Sequence, residues 1–238
     1  MTSPKSEFKI LDRGFKGTLV LIPGWATDYR IFATLDLNYN YLLPIKFSPF
    51  SFKEDLLEAL NKKSIGRISL FGWSLGGFLA GEFALSNPDR VDGLILVSIC
   101  RRFKRNILEG IKLKLKEDTK ACLYKFYTAF FSPQDKESLL WFRKHLLTNY
   151  IHQMQTKDLL SGLDYLMRAQ INPKLLNSIQ KIRIFHGWDD KIAPFKEALK
   201  IKSSLPCAEF VSLRQTGHIP FLKRDFKEIF YNGQRGHN

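Results

Sequence analysis

The sequence lacks several features that would define its class at once. Its 238 residues include three cysteines, Cys100, Cys122 and Cys207, whose odd number and wide spacing indicate neither a metal site nor a disulfide framework. No stretch approaches the roughly 18 apolar residues of a membrane-spanning helix, and the first residues hold no apolar run of secretory length. We therefore expect a reduced cytosolic protein without a membrane segment.

Acidic residues are scarce relative to basic ones. The chain has 23 Asp and Glu against 37 Lys and Arg, which gives a formal net charge of +14. Such a charge predicts attraction to polyanions or to acidic proteins. Nucleic-acid binding would require a recognised module, or aromatic and basic residues interleaved on a sheet, and no such module is apparent, so nucleic acid is disfavoured as a partner. The lysine excess can equally belong to a solvated face.

Apolar strands and amphipathic helices alternate along much of the chain. Strands are predicted at 17–22, 41–47, 67–72, 91–98, 181–187 and 208–213, and helices at 52–63, 75–87 and 222–231. Short apolar strands separated by helices favour βαβ units and a parallel sheet. With 45% hydrophobic residues, the chain is long enough for one large domain with a substantial core.

A helical block interrupts this alternation between residues 101 and 170. Four amphipathic helices are predicted there, at 106–118, 120–131, 136–151 and 156–170. Open α/β sheets place their sites at the carboxyl ends of the strands, and an inserted block of helices is positioned to cover that edge. We predict a core formed by 1–100 and 171–238 with a cap at 101–170.

A serine stands at the centre of a glycine-rich turn between a predicted strand and a predicted helix. Residues 72–76 read Gly-Trp-Ser-Leu-Gly and fit G-x-S-x-G, which marks a nucleophile in this strand–turn–helix setting. Gly72 and Gly76 are needed because side chains there would collide with the neighbouring strand and helix. The alternative is a tight turn that merely contains a serine. We predict that Ser74 is a catalytic nucleophile.

A serine hydroxyl is a poor nucleophile until a base takes its proton, so a histidine is required. Of the five histidines, His145 and His152 fall in the helical block, His186 closes a strand, and His237 lies in the terminal tail. His218 follows the last predicted strand on a loop flanked by glycine and isoleucine-proline. We predict that His218 is the base.

The remaining catalytic groups are an acid and two oxyanion donors. The chain order Ser, Asp, His places the acid after the strand at 181–187, where Asp189 and Asp190 both stand. An oxyanion needs two preorganised donors. We expect these to be the backbone N–H groups of Leu75, which opens the helix after the serine, and of Trp25, in the loop after the first predicted strand.

These motifs resemble the α/β-hydrolase superfamily over the whole chain and, within it, the BioH family. The closer resemblance rests on residues 19–25, 72–98 and 159–194. It implies an α/β fold with a mostly parallel sheet and an inserted helical cap. It also implies a serine esterase that hydrolyses the methyl ester of pimeloyl-acyl carrier protein in biotin synthesis, without a metal or an organic cofactor, and we expect a monomer.

The resemblance also bears on single residues. The family spacing of a glycine, an acid and a proline matches Gly187, Asp190 and Pro194, which favours Asp190 as the acid and makes Asp189 a solvated turn residue. The chain departs from the family at Pro23, where a histidine is usual. We expect activity to survive this change with a rearranged loop.

The helical block is the part through which a carrier protein would be recognised. Residues 101–174, which include the block, have fifteen Lys and Arg against seven Asp and Glu, an excess of eight positive charges, and acyl carrier proteins are acidic. By resemblance, Lys125 is a docking charge, and we add Arg143 and Lys144. Phe126 and Phe130, four residues apart, are expected to line an acyl channel. Packing of both rings on the body is the alternative.

Two other functions remain open. One is a general carboxylesterase acting on small free esters, in which the basic block is incidental. The other is a non-catalytic binding module built on the same fold. A complete triad and both oxyanion donors argue against the binding module, since pure binding requires none of these groups.

Overall fold

The computed structural model describes residues 6–232, in which seven strands form one sheet. The strand order is β1-β3-β2-β4-β5-β6-β7; β1 is antiparallel to β3 and all other neighbours are parallel. The strands are β1 Glu7–Leu11, β2 Thr18–Ile22, β3 Asn40–Lys46, β4 Ile68–Trp73, β5 Val91–Val97, β6 Ile182–Gly187 and β7 Glu209–Leu213.

Helices cover the sheet and fill the long insertion between β5 and β6. They are α1 Phe52–Lys62, α2 Leu75–Ser86, α3 Arg105–Glu117, α4 Thr119–Thr128, α5 Lys136–Phe142, α6 Thr148–Gln153, α7 Thr156–Leu166, α8 Pro173–Leu176, α9 Phe195–Ser203 and α10 Phe226–Asn232. A π-helical turn, Arg143–Leu147, joins α5 to α6, and short 3₁₀ turns occupy Tyr29–Phe32, Pro88–Arg90 and Pro220–Leu222. In the described part of the chain, no helix has the length and apolar character needed to cross a bilayer.

The centre of the sheet is built from nearly continuous apolar runs. Every residue of β4 is buried, as are the last four residues of β2. Strands of this kind are covered by helices on both faces. Helix α2 is predominantly apolar and lies against β4 and β5, and every residue from Leu75 to Ala84 except Glu82 is buried. The serine turn therefore joins the most buried strand to the most buried helix.

The structure confirms the predicted alternating α/β architecture, with local differences. The helix predicted at 222–231 begins only at Phe226, after the 3₁₀ turn. The segment predicted as one helix at 136–151 contains the π-helical turn. Strand β1 and helices α8 and α9 were not predicted. All five residues of β1 are at least partly exposed, because it lies at the sheet edge and pairs only with β3.

The helical block of α3–α7 is connected to the body by specific hydrogen bonds. Tyr127 Oη donates to the carbonyl of Ala26 at 2.6 Å, and Trp25 Nε1 donates to the carbonyl of Leu159 at 2.8 Å. Both body residues lie in the loop that follows β2. The division into a core and a cap stays a prediction, but these contacts bring the block to the carboxyl edge of the sheet.

Candidate functional site

Ser74 occupies a strained turn at the carboxyl end of β4. Its φ of 54° and ψ of −115° are sparsely populated by residues with a side chain. A Cβ atom on Gly72 would lie 2.4 Å from the carbonyl oxygen of Gly76, and one on Gly76 would lie 2.2 Å from that of Ile22. The two flanking glycines therefore permit the close approach of strand, turn and helix that the sequence pattern predicts.

His218 and Asp190 form a buried pair next to this turn. Nδ1 of His218 lies 2.8 Å from Oδ2 of Asp190, and both side chains are almost inaccessible to solvent. The other oxygen, Oδ1, accepts the backbone N–H groups of Ile192 and Ala193 at 2.9 and 2.8 Å. Within residues 6–232, Nε2 of His218 is buried and has no hydrogen-bond partner. A ring nitrogen of this kind is available to accept a proton.

The surroundings of Asp190 keep its carboxyl ionised. Burial alone would raise its pKa, because a charge is poorly solvated in the interior. Electrostatic attraction to the imidazoles of His218 and His186, together with hydrogen bonds from His218 and from the N–H of Ala193, outweighs this effect, so the pKa lies below its ordinary value. An ionised carboxylate on Nδ1 fixes the tautomer of His218 in which Nε2 is the acceptor.

A second buried imidazole, His186, lies on the other side of Asp190. Its Nε2 is 2.8 Å from the carbonyl oxygen of Ala193 and 3.4 Å from Oδ2 of Asp190. Burial lowers the pKa of His186, although Asp190 and Ala193 oppose the shift. His186 is therefore expected to be neutral, with its N–H directed to the Ala193 carbonyl and the edge of the acid.

The loop that carries His218 is held from three sides. The indole Nε1 of Trp73 donates to the His218 carbonyl at 2.8 Å, and the His218 N–H donates to the carbonyl of Phe130 at 2.7 Å. Oδ2 of the buried Asp135 accepts the N–H of Gly217 at 2.7 Å. Two of these three supports come from the segment between α4 and α5, so the helical block contributes to the position of the imidazole.

The predicted oxyanion donors both border one cavity. Trp25 and Leu75 line a cleft of about 110 Å³ together with Gly24 and residues of α7. A Cβ atom on Gly24 would lie 3.3 Å from Cβ of Ser74, so the loop after β2 passes directly beside the serine. Leu75 begins α2, where backbone N–H groups have no partner within the helix. Acyl transfer requires a serine, an imidazole, a carboxylate and two N–H donors, and the residues predicted for these roles lie near one another at the carboxyl edge of the sheet.

A chain of aromatic rings in contact runs from Trp25 to His218. The ring of Phe126 lies 4.6 Å from that of Trp25 and 4.9 Å from that of Phe130. Phe130 in turn packs on Trp73 and on His218, at 5.4 and 5.7 Å between ring centroids. Phe130 is 1% exposed, so it packs on the body as the alternative interpretation expected. A role for the two rings in an acyl channel stays a prediction.

The predicted docking charges lie on the outer surface of the helical block. Lys125 is on α4, and Arg143 and Lys144 are in the π-helical turn; all three are exposed. None of the three forms an ion pair with another described residue. Their charges are therefore available to a partner.

The other candidate residues lie elsewhere. His145 and His152 are exposed on the helical block, and Asp189 is exposed at the turn before Asp190. His237 lies outside the described residues. The exposure of Asp189 agrees with its interpretation as a turn residue.

Two residues of the site were not identified from the sequence. Asp135 ends Ser132-Pro-Gln-Asp, an S-x-x-D pattern like that of a capping box, and its Oδ2 accepts the Ser132 N–H at 2.8 Å, although α5 begins only after Asp135. The sequence therefore contained a local signal for this bond. The second bond of Asp135, to Gly217, joins residues 82 apart and has no local signature. His186 stands four residues before Asp190, but only the curvature of the loop brings its ring back to the acid.

Comparison with known proteins agrees with the fold described above. A family described as the alpha/beta hydrolase fold matches residues 22–225. An esterase from Exiguobacterium antarcticum superposes with a TM-score of 0.81 at 18% identity, covering 95% of each chain. A bromoperoxidase from Bacillus anthracis gives 0.82 at 18% identity, covering 97% of this chain and 96% of its own. These two structures bear on the fold alone.

Comparison with named relatives identifies a more specific family within the α/β hydrolases. A pimeloyl-[acyl-carrier protein] methyl ester esterase from Nitrosomonas europaea is 31% identical over 189 residues, covering 74% of this chain and 73% of the relative. The protein of the same name from Yersinia enterocolitica is 30% identical over 228 residues, covering 86% and 87%. The chain therefore belongs to the α/β-hydrolase family and, within it, to the pimeloyl-[acyl-carrier protein] methyl ester esterases, also called the BioH family. It is a carboxylic ester hydrolase.

Proposed function

We propose that this chain is a serine esterase that hydrolyses the methyl ester of pimeloyl-acyl carrier protein in biotin synthesis. The observation that carries the chemistry is the buried bond of 2.8 Å between Asp190 and His218, beside the strained turn of Ser74. The names of the relatives at 30–31% identity support the substrate. We further propose that the protein acts in the cytoplasm as a monomer.

The reaction proceeds in two steps. The hydroxyl of Ser74 attacks the ester carbonyl while Nε2 of His218 takes its proton, and the carbonyl electron pair moves onto oxygen. The N–H groups of Trp25 and Leu75 stabilise that oxyanion. Its collapse expels methoxide, which takes the proton from His218 and leaves as methanol.

Water completes the cycle. His218 accepts a proton from a water molecule, whose oxygen attacks the acyl-enzyme and forms a second oxyanion. Collapse returns the proton to Ser74 and releases the free carboxyl group on the carrier-bound chain. Throughout, Asp190 stays ionised and stabilises the imidazolium.

The helical block supplies the carrier specificity in this proposal. We take residues 101–170 as a cap over the core formed by 1–100 and 171–238. Its exposed charges, including Lys125, Arg143 and Lys144, attract the acidic carrier protein. Phe126 and Phe130 then border the path of the acyl chain towards Ser74.

A general carboxylesterase is the second candidate, and one observation favours it. The cleft beside Trp25 and Leu75 measures only about 110 Å³, which suits a short acyl group without any carrier. A long acyl chain requires the block to move or the chain to follow the surface.

The rates of hydrolysis of two matched esters distinguish these functions. One substrate is monomethyl pimelate linked to acyl carrier protein; the other is the same acyl group on pantetheine alone. We expect kcat/KM to be at least about tenfold higher for the carrier-linked ester at low salt, because electrostatic steering acts only there. Equal values would favour the general carboxylesterase. Growth without biotin of a strain lacking its own pimeloyl ester hydrolase tests the physiological substrate.

A further inference from the structure

We propose that Thr27 is a positioning residue that fixes the orientation of the peptide group carrying the Trp25 oxyanion donor. The inference rests on the proposed function, because it assigns a task within the same site.

The argument begins with the peptide bond between Gly24 and Trp25. Oγ1 of Thr27 donates a hydrogen bond to the Gly24 carbonyl at 2.9 Å, and Thr27 is buried. The Gly24 carbonyl and the Trp25 N–H belong to the same planar group, and no cis peptide occurs in the described residues. In a trans peptide the C=O and N–H point in opposite directions. The hydrogen bond from Thr27 holds the Gly24 carbonyl oxygen towards the threonine, so the Trp25 N–H points away from the threonine.

The remaining contacts of the loop do not hold this peptide. Tyr127 Oη fixes the carbonyl of Ala26, and Leu159 fixes the indole of Trp25. Pro23 has neither a backbone N–H nor a polar side chain. Among the described residues, the Thr27 hydroxyl provides the hydrogen bond to the Gly24 oxygen, and the Trp25 N–H has no intramolecular acceptor.

The peptide needs such a restraint because it follows a glycine. Rotation of the Gly24–Trp25 peptide changes ψ of Gly24 and φ of Trp25, and Gly24 has no Cβ atom to oppose it. Such a rotation would turn the Trp25 donor away from Ser74. The hydrogen bond at the oxygen also polarises the peptide, which strengthens the N–H as a donor.

The orientation of the Trp25 N–H is expected to affect kcat more than KM. An oriented donor matters most when the carbonyl oxygen acquires negative charge, and little while the substrate is neutral. Loss of the Thr27 hydroxyl should therefore lower kcat and leave KM nearly unchanged. A trifluoromethyl ketone provides an independent readout. Addition of Ser74 Oγ to its carbonyl creates an oxyanion at the same position, so its affinity reports the donor directly.

The experiment compares Thr27→Val, which keeps the shape and loses the hydroxyl, with Thr27→Ser, which keeps the hydroxyl. Thr34→Val, at an exposed threonine a short distance along the same segment, is the matched control. With p-nitrophenyl butyrate as substrate, we expect Thr27→Val to lower kcat by about 10- to 100-fold. This loss should not exceed the fall in kcat that follows complete removal of one oxyanion donor. The inhibition constant of the ketone should rise by the same factor. Thr27→Ser and Thr34→Val should stay within about threefold of wild type.

Several outcomes would overturn the proposal. These are an unchanged kcat in Thr27→Val, a Thr27→Ser variant as slow as Thr27→Val, or an effect confined to KM. If Thr27→Val does not fold, Thr27→Ala takes its place and the comparison with Thr27→Ser is kept. Ser74→Ala separates this inference from the proposed function: an active Ser74→Ala enzyme contradicts the triad, whereas an inactive one with normal Thr27→Val contradicts only the role of Thr27.

Discussion

At the scale of single residues, the candidate site is organised around the carboxylate of Asp190. One oxygen accepts two backbone N–H groups, and the other faces His218 at 2.8 Å and His186 at 3.4 Å. A buried charge with this many partners is stable only if all of them are kept. Substitutions that preserve shape but change protonation are therefore the most informative.

Replacing the acid by its amide tests the predicted triad. Asp190→Asn should lower kcat by about 10⁴, because an amide NH₂ facing Nδ1 favours the wrong tautomer of His218. Asp189→Asn is the matched control, since Asp189 is exposed and adjacent, and it should change kcat by less than about twofold. Steady-state kinetics on a p-nitrophenyl ester measures both. The reverse ranking would assign the acid to Asp189.

The neutral His186 predicts a dependence of stability on pH. Its pKa in the folded protein is lowered, so the unfolded chain binds a proton first as the pH falls below about 6.5. Its contribution is present above that pH and is lost on acidification. His186→Gln should flatten the fall of the unfolding free energy between about pH 7 and 5, measured by urea titration.

His145→Gln, at an exposed site, should leave that slope unchanged. Asp190 and His218 both face His186, so the difference in slope between the two variants is the quantity to compare. An equal slope in His186→Gln and wild type would contradict a neutral buried imidazole.

At the scale of elements, the tight junction of β4 and α2 determines whether Ser74 can take its strained conformation. The helix begins so close to the end of β2 that Gly76 nearly touches the carbonyl of Ile22. The same junction presents the N–H of Leu75. The geometry of the site therefore depends directly on how β4 and α2 pack.

A single methyl group tests this junction. Gly76→Ala places Cβ 2.2 Å from a backbone oxygen that can move only with β2, so it should lower the free energy of unfolding by about 1–3 kcal/mol. Gly110→Ala in α3 meets nothing within 4 Å and should raise it by about 0.5–1 kcal/mol. Urea unfolding measures both. A stable Gly76→Ala protein with normal esterase activity would contradict the packing described here.

Elements with strong hydrophobic patterns were predictable, and those defined by pairing were not. The buried strands β2, β4 and β5 are near-continuous apolar runs and were found almost at their true bounds. Strand β1 is short, exposed and half polar, so its pairing with β3 left no local pattern. In the site, glycine spacing gave the serine turn. The contacts of Asp135, His186 and Thr27 depend on loop folding and leave little or no trace in the sequence.

At the scale of the whole molecule, the helical block carries exposed positive charge on its outer surface and contacts the candidate site on its inner side. Its outer surface carries exposed lysines and arginines. On its inner side, Tyr127 bonds to Ala26 in the loop after β2, and Asp135 bonds to Gly217 in the loop that carries His218. A partner bound outside therefore rests on elements that hold the site. Exposed charges can be changed without disturbing those inner contacts.

Charge reversal tests the proposed docking surface. Lys125→Glu, Arg143→Glu and Lys144→Glu together should lower kcat/KM for the carrier-linked ester by about tenfold at low salt. The loss should shrink as salt rises, since exposed charges are screened within about 10 Å at 0.1 M ionic strength. Hydrolysis of a small neutral ester should be nearly unchanged.

A triple variant outside the block, Lys62→Glu, Lys63→Glu and Lys196→Glu, changes the net charge equally and serves as control. These three lysines are exposed on or beside α1 and on α9. Equal slowing by both triple variants would indicate an effect of net charge rather than of a docking surface. Slowing of the small ester as well would indicate a disturbed block.

The nucleophile itself is the central claim, and covalent labelling tests it most directly. A fluorophosphonate should form one adduct per chain, and trypsin should release it on the peptide from Ile68 to Arg90, which contains Ser69, Ser74 and Ser86. Fragmentation should place the adduct on Ser74. Ser74→Ala should remain folded, stay unlabelled and lose esterase activity by a factor of about 10⁴ or more. An adduct on another residue, or a Ser74→Ala protein that keeps more than about one hundredth of the activity, would contradict the assignment.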